Sequence, residues 1–204
     1  MKATTSKCSS SSSTRNTSRY SAQMRVARDT VVHVVGVICV VAILWVFRSE
    51  LLTGLVASGI AVVSTLLSVV DFNEHQLPNR MTGPLAGFTA IAVFVLGVID
   101  DDVAQAVTAL GIGAAVFVGL FVLGLAGGIG MGDVKFSFPL AVMLTWLGSR
   151  SLQLAVLVMF LSAGIYTVAK LIRSRSMRMQ IPFGPFMALG YVAGVLVAGP
   201  EAIV

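Results

Sequence analysis

Charged residues are scarce in this chain. Of its 204 residues only 11% are charged, whereas a soluble domain carries roughly a quarter. Hydrophobic residues make up 56% and form continuous runs, not the alternating pattern of a membrane barrel. We therefore predict an all-α fold, a polytopic bundle of transmembrane helices in a lipid bilayer.

Cysteine and histidine are equally sparse, with two of each. Cys8 and Cys39 form no CxxC pair, which argues against a zinc site and a disulfide framework. His33 lies in an apolar run and His75 stands alone, so no Cys–His or Ser–His–Asp set is apparent. We predict no metal and no cofactor. The basic residues behind the net charge of +5 lie at the ends of apolar segments, which indicates membrane topology and not a nucleic-acid partner.

Three regions follow from the distribution of apolar residues. Residues 1–30 are serine-rich and basic, with too little apolar surface to fold, and are predicted to form a disordered cytoplasmic tail. Residues 31–49 are predicted to form an extra N-terminal transmembrane helix, and 50–204 the main membrane domain. A crossing takes about 20 residues, so we predict about seven spans, with a range of six to eight. The apolar segments are 31–47, 51–70, 84–99, 103–126, about 134–148, 152–172 and 182–199, and the two short ones, 84–99 and 134–148, are expected either to be less tilted or to extend into their flanks.

The lysines and arginines favour a cytoplasmic N-terminus. In that orientation, all of the 14 basic residues except Arg48 and Arg150 lie on the cytoplasmic side. The acidic run at 100–102 then lies outside. An odd number of crossings places the C-terminus outside as well.

Two aspartates follow predicted spans at the same, cytoplasmic end. Asp71 begins DFNEHQLPNR, and Asp133 lies in GGIGMGDVKF, where glycines permit a sharp bend or a close backbone approach. Either carboxylate alone could simply face water, and Asp133 could pair with Lys135. Held together, however, two carboxylates cannot both ionise easily and share a proton. Such a pair can activate water and polarise a carbonyl, which is peptide hydrolysis without a metal.

Three stretches of the chain resemble the type IV prepilin peptidases, which are membrane aspartyl proteases of the GxGD type. They are DFNEHQLPNRMTGPL, GGIGMGDVKF and IPFGPFMALG, and the resemblance covers roughly residues 50–200. It implies that Asp71 and Asp133 are the catalytic residues of this catalytic membrane domain. The accompanying motif residues are Pro78, Asn79, Gly130, Gly132, Lys135, Pro182, Gly184 and Pro185.

The resemblance implies an endopeptidase that removes the basic leader of prepilins or pseudopilins. Cleavage would occur after a glycine, at the cytoplasmic face of the bacterial inner (cytoplasmic) membrane. Larger members carry a domain with paired CxxC motifs and also N-methylate the product. This chain has no CxxC pair, so we predict a peptidase that is not a methyltransferase. Glu74, three residues after Asp71, is a candidate contact for the basic leader.

Two other functions stay open from the sequence. One is a non-catalytic membrane subunit of a pilus or secretion system, which would keep the fold without the chemistry. The other is a proton-coupled carrier, which would favour carboxylates deep within the spans and an inverted repeat. Both aspartates lie at one face, and no internal repeat is apparent.

Overall fold

Every regular element of the described chain is a helix. The computed structural model describes residues 34–74, 79–125, 130–174 and 183–198, and only the backbone at 69–74, 79–81 and 174. The predicted all-α fold is confirmed, whereas the predicted tail at 1–30 lies outside the described residues. The seven helices of the described ranges are α1 (Val34–Val46), α2 (Leu51–Glu74), α3 (Asn79–Ile99), α4 (Val103–Leu125), α5 (Met131–Trp146), α6 (Ser149–Ser174) and α7 (Gly184–Ala198).

The chain divides into two units, Met1–Ile38 and Cys39–Val204. The described part of the first unit is the beginning of α1. The second unit contains the remainder of α1 and the whole of α2 to α7, and therefore holds the helix bundle described below.

Four helices are long and apolar enough to cross a bilayer, judged by length and composition. The four windows are Leu51–Ser68, Thr82–Ile99, Val103–Leu125 and Ser149–Arg173. The chain is therefore a membrane protein with several apolar helices. The helices α1 and α7 are shorter, so the count of seven crossings and the cytoplasmic N-terminus stay predictions. The two short apolar segments do extend into their flanks: α3 begins at Asn79 and α5 at Met131.

The helix at the centre of the bundle is α5. It contacts α2, α3, α4, α6 and α7, and 11 of its 16 residues are buried. Glycines on its neighbours allow close approach: a Cβ atom at Gly113 of α4 would collide with Val142 of α5. Since other helices surround most of α5, the helix that carries Asp133 is the innermost one.

Two contacts align α7 with its neighbours. The Ser68 hydroxyl near the end of α2 donates to the carbonyl oxygen of Gly184, the first residue of α7, at 3.2 Å. The Leu144 side chain, late in α5, lies against Gly194, late in α7. Therefore α7 runs parallel to α5 and antiparallel to α2. The last turns of α2 and the first turns of α5 and α7 share one end of the bundle, called here the Asp133 end.

The opposite end is acidic, with Glu50, Asp100, Asp101 and Asp102 in the connections that precede α2 and α4. Burial, and then the negative charge of Asp100, raises the pKa of Glu50. The Asp102 carboxylate accepts a hydrogen bond from the Gln105 backbone N–H at 3.0 Å and so caps α4. An asparagine would provide the same cap, which makes Asp102 a convenient control position.

One buried tyrosine joins α7 to α2, and its removal gives a prediction for stability. Tyr191 is 1% exposed, and its hydroxyl donates to the carbonyl oxygen of Ala57 at 3.1 Å. We expect Tyr191→Phe to lower the free energy of unfolding by about 1 kcal/mol, as for other hydrogen bonds between membrane helices. Unfolding in detergent micelles measures this, with Tyr166→Phe as the control because the Tyr166 ring packs on Phe186. Equal loss in both variants would contradict a specific role for the hydrogen bond.

Candidate active site

Asp133 lies in the first turn of the central helix. Gly130 is the residue before α5, and its carbonyl oxygen accepts the Val134 N–H at 3.2 Å, which closes that turn. The N-terminal end of a helix dipole favours negative charge, so an aspartate at this position also stabilises the helix start. The Oδ1 atom of Asp133 is shielded from solvent. The carboxylate is thus held by a helix and not by the pliable bend that the glycines predict.

Gly130 leaves space beside this carboxylate. Its backbone φ of −66° and ψ of 138° are open to any residue, so conformational freedom is not the reason for glycine here. A Cβ atom at this position would lie 3.3 Å from Asp133 Oδ2, which is tighter than usual carbon contacts. The contact is with the carboxylate three residues further on, so the predicted approach of another segment to Asp133 stays a prediction. Gly127 and Gly128 lie outside the described residues.

This spacing yields a prediction for Gly130→Ala. The added methyl group must displace the Asp133 carboxylate by a few tenths of an ångström. Because a 1 Å displacement costs about 100-fold in rate, we expect a decrease in kcat/KM for the predicted peptide hydrolysis of about tenfold. Gly119→Ala is the matched control, since a Cβ there meets no atom within 4 Å. Wild-type activity in Gly130→Ala would show that this space is not needed.

Asp71 lies inside α2 and not after it. The apolar run ends near residue 70, which suggested a loop aspartate, but α2 continues to Glu74 because the hydrophilic residues extend the helix beyond its apolar window. Asp71 occupies the same helical register as Ile60, Ser64 and Leu67, all of which are fully buried. By helical register, the backbone position of Asp71 therefore continues the line of these three residues along α2.

The two aspartates lie at nearly the same level along the bundle. With a rise of 1.5 Å per residue, Asp71 is about 4.5 Å beyond the α2 hydroxyl that contacts the start of α7. Asp133 is about 16 Å along α5 from its contact with Gly194, and Gly194 is about 15 Å from the start of α7. The two positions thus differ in level by only about 3 Å.

The other motif residues in the described ranges also belong to the Asp133 end. Gly132 is the second residue of α5, and Lys135 is exposed one turn further on. Pro185 is the second residue of α7, as predicted, where its missing N–H costs little. Gly184 is buried, accepts a hydrogen bond from Ser68 of α2 and is the first residue of α7. The roles of these residues stay predictions.

Three motif residues and the Glu74 side chain lie wholly or partly outside the described residues. Pro78 and Pro182 lie outside the described residues, and Asn79 is described only as the first residue of α3. The Glu74 side chain, the predicted contact for a basic leader, is likewise outside the described part of the chain. Within the described ranges, no group of three or more His, Cys, Asp or Glu side chains could hold a metal ion.

A set of buried hydroxyl groups near this end was not predicted. Ser64 of α2 and Thr82 and Thr89 of α3 are each at most 1% exposed, and each lies on the inward stripe of its helix. The sequence does contain small polar residues at helical spacing that could have indicated this set. Thr82 and Thr89 are seven residues apart, and so are Ser64 and Asp71. Such residues resemble ordinary interruptions of an apolar run until the inward face is known.

The structure defines a polytopic helical membrane protein with an acidic group at the start of its central helix. The model of the type IV leader peptidase family matches residues 58–168, a range that includes both aspartates. The prepilin leader peptidase/N-methyltransferase of Escherichia coli (strain K12) is 30% identical over 164 residues, which is 79% of this chain and 71% of that protein. The leader peptidase HopD of Escherichia coli is 33% identical over 138 residues, 66% of this chain and 88% of HopD. No solved structure gives a significant match.

The chain belongs to the type IV leader peptidase family. The predicted family and the predicted class of enzyme, a prepilin peptidase, are confirmed.

Proposed function

We propose that this protein removes the basic leader from prepilins or pseudopilins by direct attack of water, with Asp71 and Asp133 as the catalytic pair. The observation that carries the proposal is the similar level of the two positions at one end of the bundle, one in the last turns of α2 and one at the start of α5. Family membership supports the kind of substrate.

The chemistry follows from two carboxyl groups that share one proton. The ionised aspartate takes a proton from water, whose oxygen then bonds to the carbonyl carbon of the scissile peptide. The protonated aspartate donates a hydrogen bond to the carbonyl oxygen and stabilises the charge that develops there. When the tetrahedral intermediate collapses, the C–N bond breaks and a proton passes to the leaving amine. The leader ends in a carboxylate and the mature protein begins with an amine.

The Asp133 end faces the cytoplasm in this proposal, and the protein spans the bacterial inner membrane. The charge distribution supports this orientation, because basic Lys135, Lys170 and Arg173 belong to the Asp133 end whereas the acidic group at 100–102 belongs to the other. The partners are a prepilin and the lipid bilayer. Glu74, in the last turn of α2, would attract the basic residues of the leader.

The test is cleavage of a prepilin by the purified full-length protein in lipid vesicles, with and without hydroxylamine. Direct attack by water predicts a leader that ends in a free carboxylate under both conditions. A covalent acyl-enzyme intermediate would instead be trapped as a leader hydroxamate. Mass spectrometry of the released leader separates the two products. A hydroxamate would refute the two-aspartate mechanism while retaining the peptidase function.

Absence of cleavage across several prepilins would favour the non-catalytic subunit. The relative from Escherichia coli (strain K12) is named as both a prepilin leader peptidase and an N-methyltransferase. For this chain we propose peptidase activity alone, so the mature product is expected to keep an unmethylated N-terminal amine in the same assay.

A further inference from the structure

Three buried hydroxyl groups between the Asp133 end and the middle of the bundle have no hydrogen-bond partner among the described residues. They are Ser64 Oγ, Thr82 Oγ1 and Thr89 Oγ1, on residues that are 0%, 1% and 0% exposed. A hydroxyl on a membrane helix normally bonds the carbonyl oxygen one turn earlier. Other residues of this bundle do so at 2.7–2.8 Å, namely Thr65, Ser68, Thr108, Thr145 and Thr167. These three hydroxyl groups leave polar atoms inside the bundle, as do Ser58 Oγ and Ser151 Oγ nearer its other end.

These hydroxyl groups are arranged by depth below the two aspartates. Thr82 is three residues into α3, about 4.5 Å from its start. Ser64 is ten residues before the end of α2 and Thr89 ten residues after the start of α3, so both lie about 15 Å inside. The two helices that carry these hydroxyl groups, α2 and α3, contact each other and both contact α5.

Two further hydroxyl groups lie between these levels, one on α2 and one on α5. The Ser68 hydroxyl bonds the carbonyl oxygens of Ser64 and Gly184, which connects α2 to α7. The Ser137 hydroxyl on α5 is buried and bonds the Val134 carbonyl oxygen at 2.7 Å. Both oxygens can still accept a hydrogen bond. Polar atoms thus continue from the aspartate level toward the middle of the bundle.

We propose that Ser64, Thr82 and Thr89 bind water inside the bundle and that this water supplies the hydrolysis at Asp71 and Asp133. Buried polar groups in proteins are satisfied by ordered water where the protein offers no partner. The second half of the proposal rests on the proposed function: a prepilin whose apolar segment enters from the membrane covers the aspartates, so water held behind them remains available for attack.

Cysteine labelling tests the hydration directly and needs no enzymatic activity. In a protein with Cys8 and Cys39 replaced by serine, Ser64→Cys and Thr89→Cys are treated in vesicles with a small, membrane-impermeant methanethiosulfonate reagent. The reagent reacts with thiolates, which form only where water reaches the thiol. Matched controls are Ile60→Cys and Val93→Cys, each one turn deeper on the same stripe and 0% exposed.

We expect both test positions to react at least tenfold faster than the controls. Equal rates at test and control positions would overturn the hydrated interior. Unfolding midpoints equal to that of the cysteine-free parent confirm that the labelled variants are folded.

The catalytic part is tested with Thr89→Val, which removes the hydroxyl group and keeps the shape. We expect about a tenfold lower kcat with an unchanged KM and an unchanged unfolding midpoint, and Thr89→Ser to restore kcat. Wild-type kcat in Thr89→Val would overturn the supply of water by this path. If the wild-type protein cleaves no prepilin while the cysteines still react, the hydrated interior stands and its catalytic role falls together with the proposed function.

Discussion

Replacing either Asp71 or Asp133 with asparagine is expected to lower the rate of leader removal by at least about 10³-fold, the size of effect typical of a lost general acid or base. Asparagine keeps the shape of the side chain but can neither take a proton from water nor share one with its partner. Because the two carboxyl groups act as a unit, the double variant is expected to be no slower than either single variant.

Folding is expected to survive both changes. Asp133 lies at a helix start, where asparagine is tolerated but loses the favourable charge at the helix dipole, a loss of less than about 1 kcal/mol. Asp71 lies in the last turns of α2, so a change there leaves the long apolar part of that helix intact. Membrane levels and unfolding midpoints near those of the wild-type protein would therefore show that lost cleavage reflects chemistry.

Asp102→Asn is the matched control for this experiment. It makes the same chemical change at the opposite end of the bundle, and asparagine caps α4 as well as aspartate does. Leader removal is scored by gel shift of a co-expressed prepilin at equal membrane levels. Cleavage at the wild-type rate in Asp71→Asn would show that the pair is wrongly assigned, even if Asp133→Asn is inactive.

Much of the fold could be predicted from the sequence, because helix boundaries in a membrane protein follow the apolar runs. The segments at 51–70 and 103–126 match α2 and α4 closely. The error lies at a hydrophilic end: α2 continues through Asp71 to Glu74, whereas the extensions of α3 and α5 into their flanks were expected. The backbone hydrogen bonds of a helix form equally well at polar and apolar residues. A boundary read from hydropathy therefore stops where the apolar residues stop, before the helix ends.

The centre of the bundle could not be predicted. The runs that form α4 and α5 are both strongly apolar, yet α5 is surrounded by other helices while α4 exposes residues such as Val118 and Val122. Hydropathy reports that a residue avoids water but does not distinguish lipid from protein as its surroundings. The candidate site depends on this distinction, because Asp133 begins the innermost helix.

A close contact between α6 and α7 involves two glycines, and adding methyl groups there is expected to destabilise the whole bundle. Gly190 and Gly194 are four residues apart on one face of α7, the spacing that lets membrane helices approach closely. A Cβ at Gly190 would lie 2.5 Å from the Ala155 carbonyl oxygen, and one at Gly194 would lie 2.6 Å from the Ser151 carbonyl oxygen. Both obstacles are backbone atoms, so the helices themselves must separate.

We expect Gly190→Ala and Gly194→Ala each to lower the free energy of unfolding by about 1–3 kcal/mol, the usual range for overpacking a tight core. The double variant is expected to lose more than either single variant. Thermal unfolding in detergent micelles measures the effect. Gly164→Ala on α6 is the matched control, because a Cβ there meets no atom within 4 Å and alanine favours the helix.

Stability and cleavage should be affected together in these variants, because the first residue of α7 holds α2 through the Ser68 hydroxyl. When α7 moves away from α6, this contact near Asp71 is displaced as well. A variant that unfolds more easily but cleaves normally at low temperature would show that α7 only supports the fold. A wild-type unfolding midpoint in Gly190→Ala would contradict the close α6–α7 contact itself, since no side-chain rotation can move the Ala155 backbone aside.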